Sequence, residues 1–227
     1  MTNRKQLFKT LKYLPLVVTT VSTPWLAGNA MGAPDKQSWY VRPHVAYSQL
    51  SDISGDSLVE GAAAGADIAL SGGFAAGLGL GYFYRPNFAV ELSWEYRSND
   101  SEVALDDGRR FSDGNYASNS FYLNAIHHFA RQDAWQPYVG GGLVWIQEVD
   151  IDLEDSGQEI SFEADGDMGW QAFAGMNYWL NERWAIHGEM RYGSVTGIDL
   201  GSESGNGRIN DLEYQPLSLQ TGVLFYF

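Results

Sequence analysis

Nine residues stand out as able to move protons, pair charges or hold a metal: Arg42 and His44; Glu91, Glu95 and Arg97; His128; and His187, Glu189 and Arg191. Within each group the spacing is two or four. Successive side chains on a β-strand point to opposite faces, so that spacing puts each group on one face of a strand. If the face is enclosed, its charges must pair or hold water, because an orphaned buried charge costs several kcal/mol. Two kinds of chemistry follow: a structural ion-pair network that fills an interior, or a narrow or gated pore lined by the same groups. Glu189 is expected to pair inside with Arg97 or Arg191.

Other chemistries find little support. The chain has no Cys, which excludes disulfides, thiolate metal sites and Cys nucleophiles. His127 and His128 are adjacent, so on a regular strand they point apart and cannot chelate one metal ion. The stretch QEVDIDLEDSGQEISFEADGD holds nine acids between residues 148 and 167 and invites a calcium reading through oxygen ligands. It lacks the spacing of an EF-hand loop, and charge runs of this kind are ordinarily solvated; DIDLEDSGQEISF also alternates enough to extend the fifth and sixth strands above the membrane as a hairpin. Phosphate loops, paired catalytic carboxylates, zinc ligand sets and basic nucleic-acid patches are absent, so no cofactor, metal, enzymatic activity or nucleic-acid partner is expected.

The elements that must position the nine residues are strands. Read at period two, the chain gives eight segments of about ten residues. FAVELSWEYR sets Val90, Leu92, Trp94 and Tyr96 against Glu91, Ser93, Glu95 and Arg97. WYVRPHVAY, FAAGLGLGYFY, SFYLNAIHHF, WQAFAGMNYWL, WAIHGEMRY and LSLQTGVLFYF alternate similarly, with Ile126 off-pattern in the fourth segment. PYVGGGLVWI is ambiguous in phase; Val139, Leu143 and Trp145 are placed together. Pro43 removes a donor from its ladder and calls for a bulge or bend.

Connections after the second, fourth and sixth segments are short. The other four are long, near 51–72, 98–117, 148–167 and 194–213, and hold 22 of the 28 acids. None of the remaining acids (Asp35, Glu91, Glu95, Asp133, Glu182 and Glu189) falls on an apolar face. Strict short–long alternation, an uncharged apolar face on every strand and aromatics at segment ends describe a membrane barrel better than a soluble sandwich. Residues 1–30 read as a cleaved signal peptide: Arg4, Lys5, Lys9 and Lys12, then LPLVVTTVSTPWLAG, then small residues before Met31. Cleavage would leave 10 Lys+Arg against 28 Asp+Glu, a net charge of −18. Such a surface repels nucleic acid and attracts divalent cations or basic partners. The expected architecture is all-β: a short periplasmic segment, 31–37, then an eight-stranded antiparallel up-and-down transmembrane barrel over 38–227.

With that pattern, PYVGGGLVW after a short turn and a terminal Phe, the chain resembles the small outer-membrane barrels of Gram-negative bacteria. The types it resembles are the transmembrane domain of outer membrane protein A and the opacity-type surface proteins. The resemblance implies an integral, monomeric outer-membrane protein with loops facing the cell exterior. It also implies that Phe225 and Phe227, in the last strand, are read by the barrel-assembly machinery as an insertion signal. Nothing follows Phe227 that matches a peptidoglycan-binding domain, so cell-wall anchoring is not expected. The implied role is structural or interactive: adhesion or host contact through acidic loops, with divalent cations bridging those acids to lipopolysaccharide phosphates. A small-solute channel is the alternative reading. Lipid A modification is the third, and the His-x-Ser-Asn arrangement of outer-membrane deacylases does not occur here.

Overall fold

The computed structural model describes residues 38–49, 53–59, 62–70, 72–105, 110–129, 133–155, 158–164, 166–202 and 207–227. The expected signal peptide and the segment 31–37 lie outside them. Twelve strands make up the described chain: β1 (Trp39–Gln49), β2 (Ile53–Val59), β3 (Ala62–Leu70), β4 (Gly73–Arg85), β5 (Phe88–Leu105), β6 (Arg110–His128), β7 (Trp135–Asp155), β8 (Gln158–Ala164), β9 (Asp167–Trp179), β10 (Trp184–Ser202), β11 (Gly207–Tyr214) and β12 (Leu217–Tyr226). No helix occurs among the described residues.

Antiparallel pairing runs β1–β4–β5–β6–β7–β9–β10–β12 and returns to β1, closing an eight-stranded up-and-down barrel. One row of cross-strand partners reads Arg97, Ala75, Ala46, Gln220, Glu189, Gly175, Tyr138, His128. The next step, from the His128 amide to the Asn87 carbonyl, returns to the β4–β5 turn ten positions below Arg97. That slip tilts the strands and leaves an interior just wide enough for side chains to fill.

The four long connections are extended hairpins rather than loops. Strands β5, β6, β7 and β10 run on beyond the barrel proper, while β2, β3, β8 and β11 continue the wall positions of β1, β4, β9 and β12. The paired residues Asp152↔Ser161 and Leu153↔Ile160 carry the acidic third connection up as a hairpin. Alternation of apolar and polar residues persists in these segments, so the ladder has no reason to stop at the membrane edge. Side chains over 150–165, where the calcium reading fell, lie outside the described residues. Glycine is needed where the register shifts: Gly197, at φ 76°, sits at the irregularity between Thr196 and Ile198.

Two turns at the opposite end are tight. Pro86 and Asn87 link β4 to β5, and Asn181 Oδ1 accepts the amides of Arg183 (2.9 Å) and Trp184 (3.0 Å) to close β9 onto β10. Pro43 points outward on β1. Its ladder to β12 lapses across Arg42 and Pro43, while pairing to β4 is unbroken, which accommodates the missing donor without a bulge.

The outer face is the one that alternation identifies. Val45, Leu78, Leu92, Leu123, Leu143, Ile186 and Leu219 are exposed between two aromatic belts. Ring pairs mark the belts: Trp39–Tyr82, Trp135–Tyr178 and Trp184–Phe225 at the short-turn end, and Tyr47–Phe74, Phe121–Trp145 and Trp170–Tyr192 toward the hairpins. No charged side chain among the described residues faces outward between them. Hydrocarbon accounts for this, since a charge at the bilayer midplane costs about 2–4 kcal/mol. Val139, Leu143 and Trp145 share the exposed face, so β7 has the expected phase.

Candidate functional site: the barrel lumen

The inward face has two layers. At the short-turn end, rings close the lumen: Tyr40 stacks on Tyr226 (5.4 Å), Phe83 packs on Tyr40 (5.6 Å), and Trp179 packs on Tyr226 (4.9 Å). Ile126, Leu224, Tyr138, Phe173, Ala89 and Ala185 belong to the same buried cluster. Ile126 is therefore in phase with Tyr122, Asn124 and His128; it looked irregular only because an apolar residue faces inward here. The Trp179 Nε1–H donates to Gln136 Oε1 (3.2 Å), which also accepts from Asn177 Nδ2 (3.1 Å).

Above this floor lies the charged layer. Arg42 reaches from β1 to Glu91 on β5 (2.5 Å) and to Glu189 on β10 (3.0 Å). Arg191 binds Glu189 (2.8 Å) and Glu95 (3.4 Å), and Arg97 binds Glu95 (2.7 Å). The resulting chain, Glu91–Arg42–Glu189–Arg191–Glu95–Arg97, holds three positive and three negative charges, all on buried residues. Its formal charges balance, the condition under which burying ions is tolerable.

Each carboxylate also accepts a tyrosine hydroxyl: Tyr40 to Glu91 (3.0 Å), Tyr138 to Glu189 (2.9 Å) and Tyr122 to Glu95 (3.4 Å). His44 Nε2 lies 3.2 Å from Glu95 Oε2. The Arg191 guanidinium lies over the rings of Tyr122 (5.2 Å) and Phe173 (5.7 Å), a cation–π arrangement. Tyr40 and Tyr138 belong to the floor and bond to the ions above it, so the two layers are cross-linked.

Seven of the nine residues singled out by spacing thus meet in one network: Arg42, His44, Glu91, Glu95, Arg97, Glu189 and Arg191. Glu189 pairs with Arg191 and Arg42, whereas Arg97 goes to Glu95 and to Ser218 Oγ (3.2 Å). His128 and His187 stand outside it. His128 stacks between Phe83 (4.8 Å) and Tyr138 (5.4 Å) in the floor. His187 lies against Gly222, with no hydrogen-bond partner at either ring nitrogen. Phe225 and Phe227 face outward, stacked at 6.3 Å, and the Phe227 amide donates to the Trp39 carbonyl (3.1 Å), holding the terminus against β1.

The three tyrosines escaped the sequence reading as members of the site. Their one signal was an inward phase in strands that otherwise face polar residues inward. The glycines of the inner wall make room for their neighbours: a Cβ at Gly77 would meet His44, at Gly79 Glu91, at Gly140 Phe173 and at Gly142 Asn124 and the Leu123 carbonyl. No group of three or more His, Cys, Asp or Glu able to hold a metal occurs among the described residues.

Residues 16–227 match the outer membrane protein beta-barrel domain family. The chain belongs to that family. It is accordingly an integral outer-membrane β-barrel. Among solved structures it is similar to the outer membrane protein OprG of Pseudomonas aeruginosa, at 18% identity and TM-score 0.68, covering 86% of this chain and 98% of that one. Neisserial surface protein A shares 15% identity at TM-score 0.49 over 83% of this chain and 97% of its own. The N-terminal barrel domain of Pseudomonas aeruginosa OprF shares 18% at TM-score 0.43, over 85% and 100% respectively. At such identities the likeness is one of fold. No curated protein sequence matches the chain.

Proposed function

We propose that this protein is a plugged, non-conducting and non-enzymatic outer-membrane barrel that carries four acidic hairpins on the cell exterior. The observation that supports this reading best is the charge-balanced Arg–Glu chain cross-linked to an aromatic floor. A conducting lumen needs a continuous wet path. Here the carboxylates are tied to arginines and tyrosines, and rings pack directly beneath them. The same ties argue against catalysis, since Glu91, Glu95 and Glu189 have no free face to offer a substrate.

In this reading the short turns face the periplasm and the hairpins the medium, the usual orientation of such barrels. With 22 of 28 acids in the four hairpin regions, the outer surface favours divalent cations, and through them lipopolysaccharide phosphates, or a basic partner on another surface. The last strand, ending Phe225–Tyr226–Phe227, is the segment offered to the barrel-assembly machinery.

Single-channel recording of the refolded protein in a planar bilayer tests the reading. A boiled-versus-unboiled gel shift first establishes that the barrel has formed. Silence is expected. Discrete, reproducible conductance steps would replace the plugged reading with the small-solute channel and make Arg42, Glu95, Arg97 and Glu189 its selectivity residues.

A further inference from the structure

One stretch of the short-turn belt is built unlike the rest. On β4 Phe83 faces the lumen, so by alternation Arg85, two positions on, would face it too. A register shift intervenes: Phe83 pairs with Ala89, but Arg85 pairs with Phe88. A slip of one residue moves a side chain to the other face of a sheet, and bulges re-aim side chains in this way. Arg85 therefore shares the outward face of Phe88 and is exposed. Its guanidinium carbon lies 5.4 Å from the centre of the Tyr84 ring, a cation–π arrangement, and that ring meets Phe88 edge-on at 5.3 Å.

The same cross-strand row continues from Phe88 to His127 on β6. His127 also faces outward and is exposed, its ring 4.7 Å from Phe129 in an edge contact. Among the described side chains three basic ones are exposed, Arg85, His127 and Arg183, and all lie at the short-turn end. Arg183 has Glu182 beside it in its turn, whereas Pro86 and Asn87, which follow Arg85, bring no acid. Each lumen arginine is held by a carboxylate; among the described residues none pairs with Arg85.

We propose that Arg85 and His127, framed by Tyr84, Phe88 and Phe129, bind the phosphate of an anionic phospholipid, of the phosphatidylglycerol kind, in the leaflet that meets the short turns. A guanidinium presents paired N–H donors that match phosphate oxygens, and an imidazole has an N–H to donate in either protonation state. Aromatic side chains sit at the headgroup level of a bilayer, so the rings fix the depth of the site. Depth also selects the ligand. Val90 and Leu123, further along the outward faces of β5 and β6, are exposed on the hydrocarbon side. A molecule that fits must therefore carry its charge at the membrane border and an acyl chain beside those residues. Neighbouring strands are about 4.8 Å apart, so Arg85 and His127, two strands apart, stand about 10 Å from each other at the backbone. A phosphate over Phe88 spans that gap. The site depends neither on the plug nor on which way the hairpins face, and so goes beyond the proposed function.

The protein is strongly negative as a whole, so an unlocalised charge effect would favour a zwitterionic lipid over an anionic one. Native mass spectrometry of the refolded protein, titrated with phosphatidylglycerol and with phosphatidylethanolamine of the same acyl chains, separates a local site from that effect. Phosphatidylglycerol is expected to bind about fivefold more tightly, the scale set by one basic residue at an anionic surface. Arg85→Gln, verified as folded by gel shift, should bring the two lipids to within about twofold, while Arg183→Gln keeps the preference. Equal binding of both lipids by the unaltered protein, or a preference that survives Arg85→Gln, overturns the proposal. Should Arg85→Gln fail to fold, phosphatidylglycerol with a photoreactive headgroup decides on the unaltered protein. Adducts at Tyr84–Phe88 and at His127 are expected, and adducts confined to other turns would refute the site.

Discussion

Glu189 carries more of the lumen than its single charge suggests. It accepts from Arg42, from Arg191 through two nitrogens and from Tyr138. Glu189→Gln leaves two buried guanidinium groups short of a counter-charge and should lower stability in detergent by about 3 kcal/mol. Tryptophan fluorescence during denaturant unfolding measures it; an unchanged midpoint would mean that solvent already screens the network. Glu182, exposed in the β9–β10 turn, supplies the contrast: Glu182→Gln should leave the midpoint where it is. At this scale the sequence was half legible. Period-two spacing brought seven of the nine residues to one network, because a barrel interior gathers every inward charge. Which Arg meets which Glu depends on strand order and on the ten-position slip, and neither is written locally. Arg42 crosses to Glu189, 147 residues along the chain, and no spacing rule reaches that far.

The strands themselves were the most legible feature, for a physical reason. Lipid tolerates no charge on the outer face, so each strand advertises its phase; even β7, blurred by Gly140, Gly141 and Gly142, follows Val139, Leu143 and Trp145. Of the hairpin extensions only the third was legible, because DIDLEDSGQEISF alternates and pairs as expected; the other three read as loops. Packing between strands gives a sharp test. A Cβ at Gly142 would collide with the Leu123 carbonyl on β6, whereas one at Gly188, facing outward on β10, meets nothing within 4 Å. Gly142→Ala should therefore cost about 1–3 kcal/mol. Gly188→Ala should be neutral or stabilising by up to about 1 kcal/mol, by restricting the unfolded chain. Paired unfolding curves check both; equal effects would mean that the β6–β7 ladder yields easily. For the last strand, removing Phe227 should slow insertion by the barrel-assembly machinery while leaving detergent refolding intact. Pulse-chase assembly set against in vitro gel shift separates those effects; a defect in both would reduce Phe227 to a packing residue.

For the molecule as a whole, the sequence indicated a polar lumen, and the barrel instead has a polar layer over an aromatic one. Ile126 looked like a lapse in alternation, yet with the inward-facing Phe83, Leu224 and Tyr226 it forms a floor. Two seals in series make a distinct prediction. Trp179→Ala should destabilise the barrel by about 3–5 kcal/mol, the usual cost of emptying a large buried aromatic site. In a bilayer it should remain electrically silent, because the ion pairs close the lumen independently. Conductance from the folded Trp179→Ala variant would make the floor the sole seal.

The salt bridges also have a mechanical meaning. In ring order, β5 and β10 stand opposite each other, with β1 between them on one side. Arg191 to Glu95 spans the full diameter, while Arg42 ties β1 to both β5 and β10. The three ties inscribe a triangle in the circle of strands. A hoop held only by its rim flattens under sideways load; one braced by struts across its width keeps its roundness. Sideways pressure from the bilayer therefore falls on the Arg–Glu struts as well as on the ladder, and this barrel resists becoming oval because its interior is a truss.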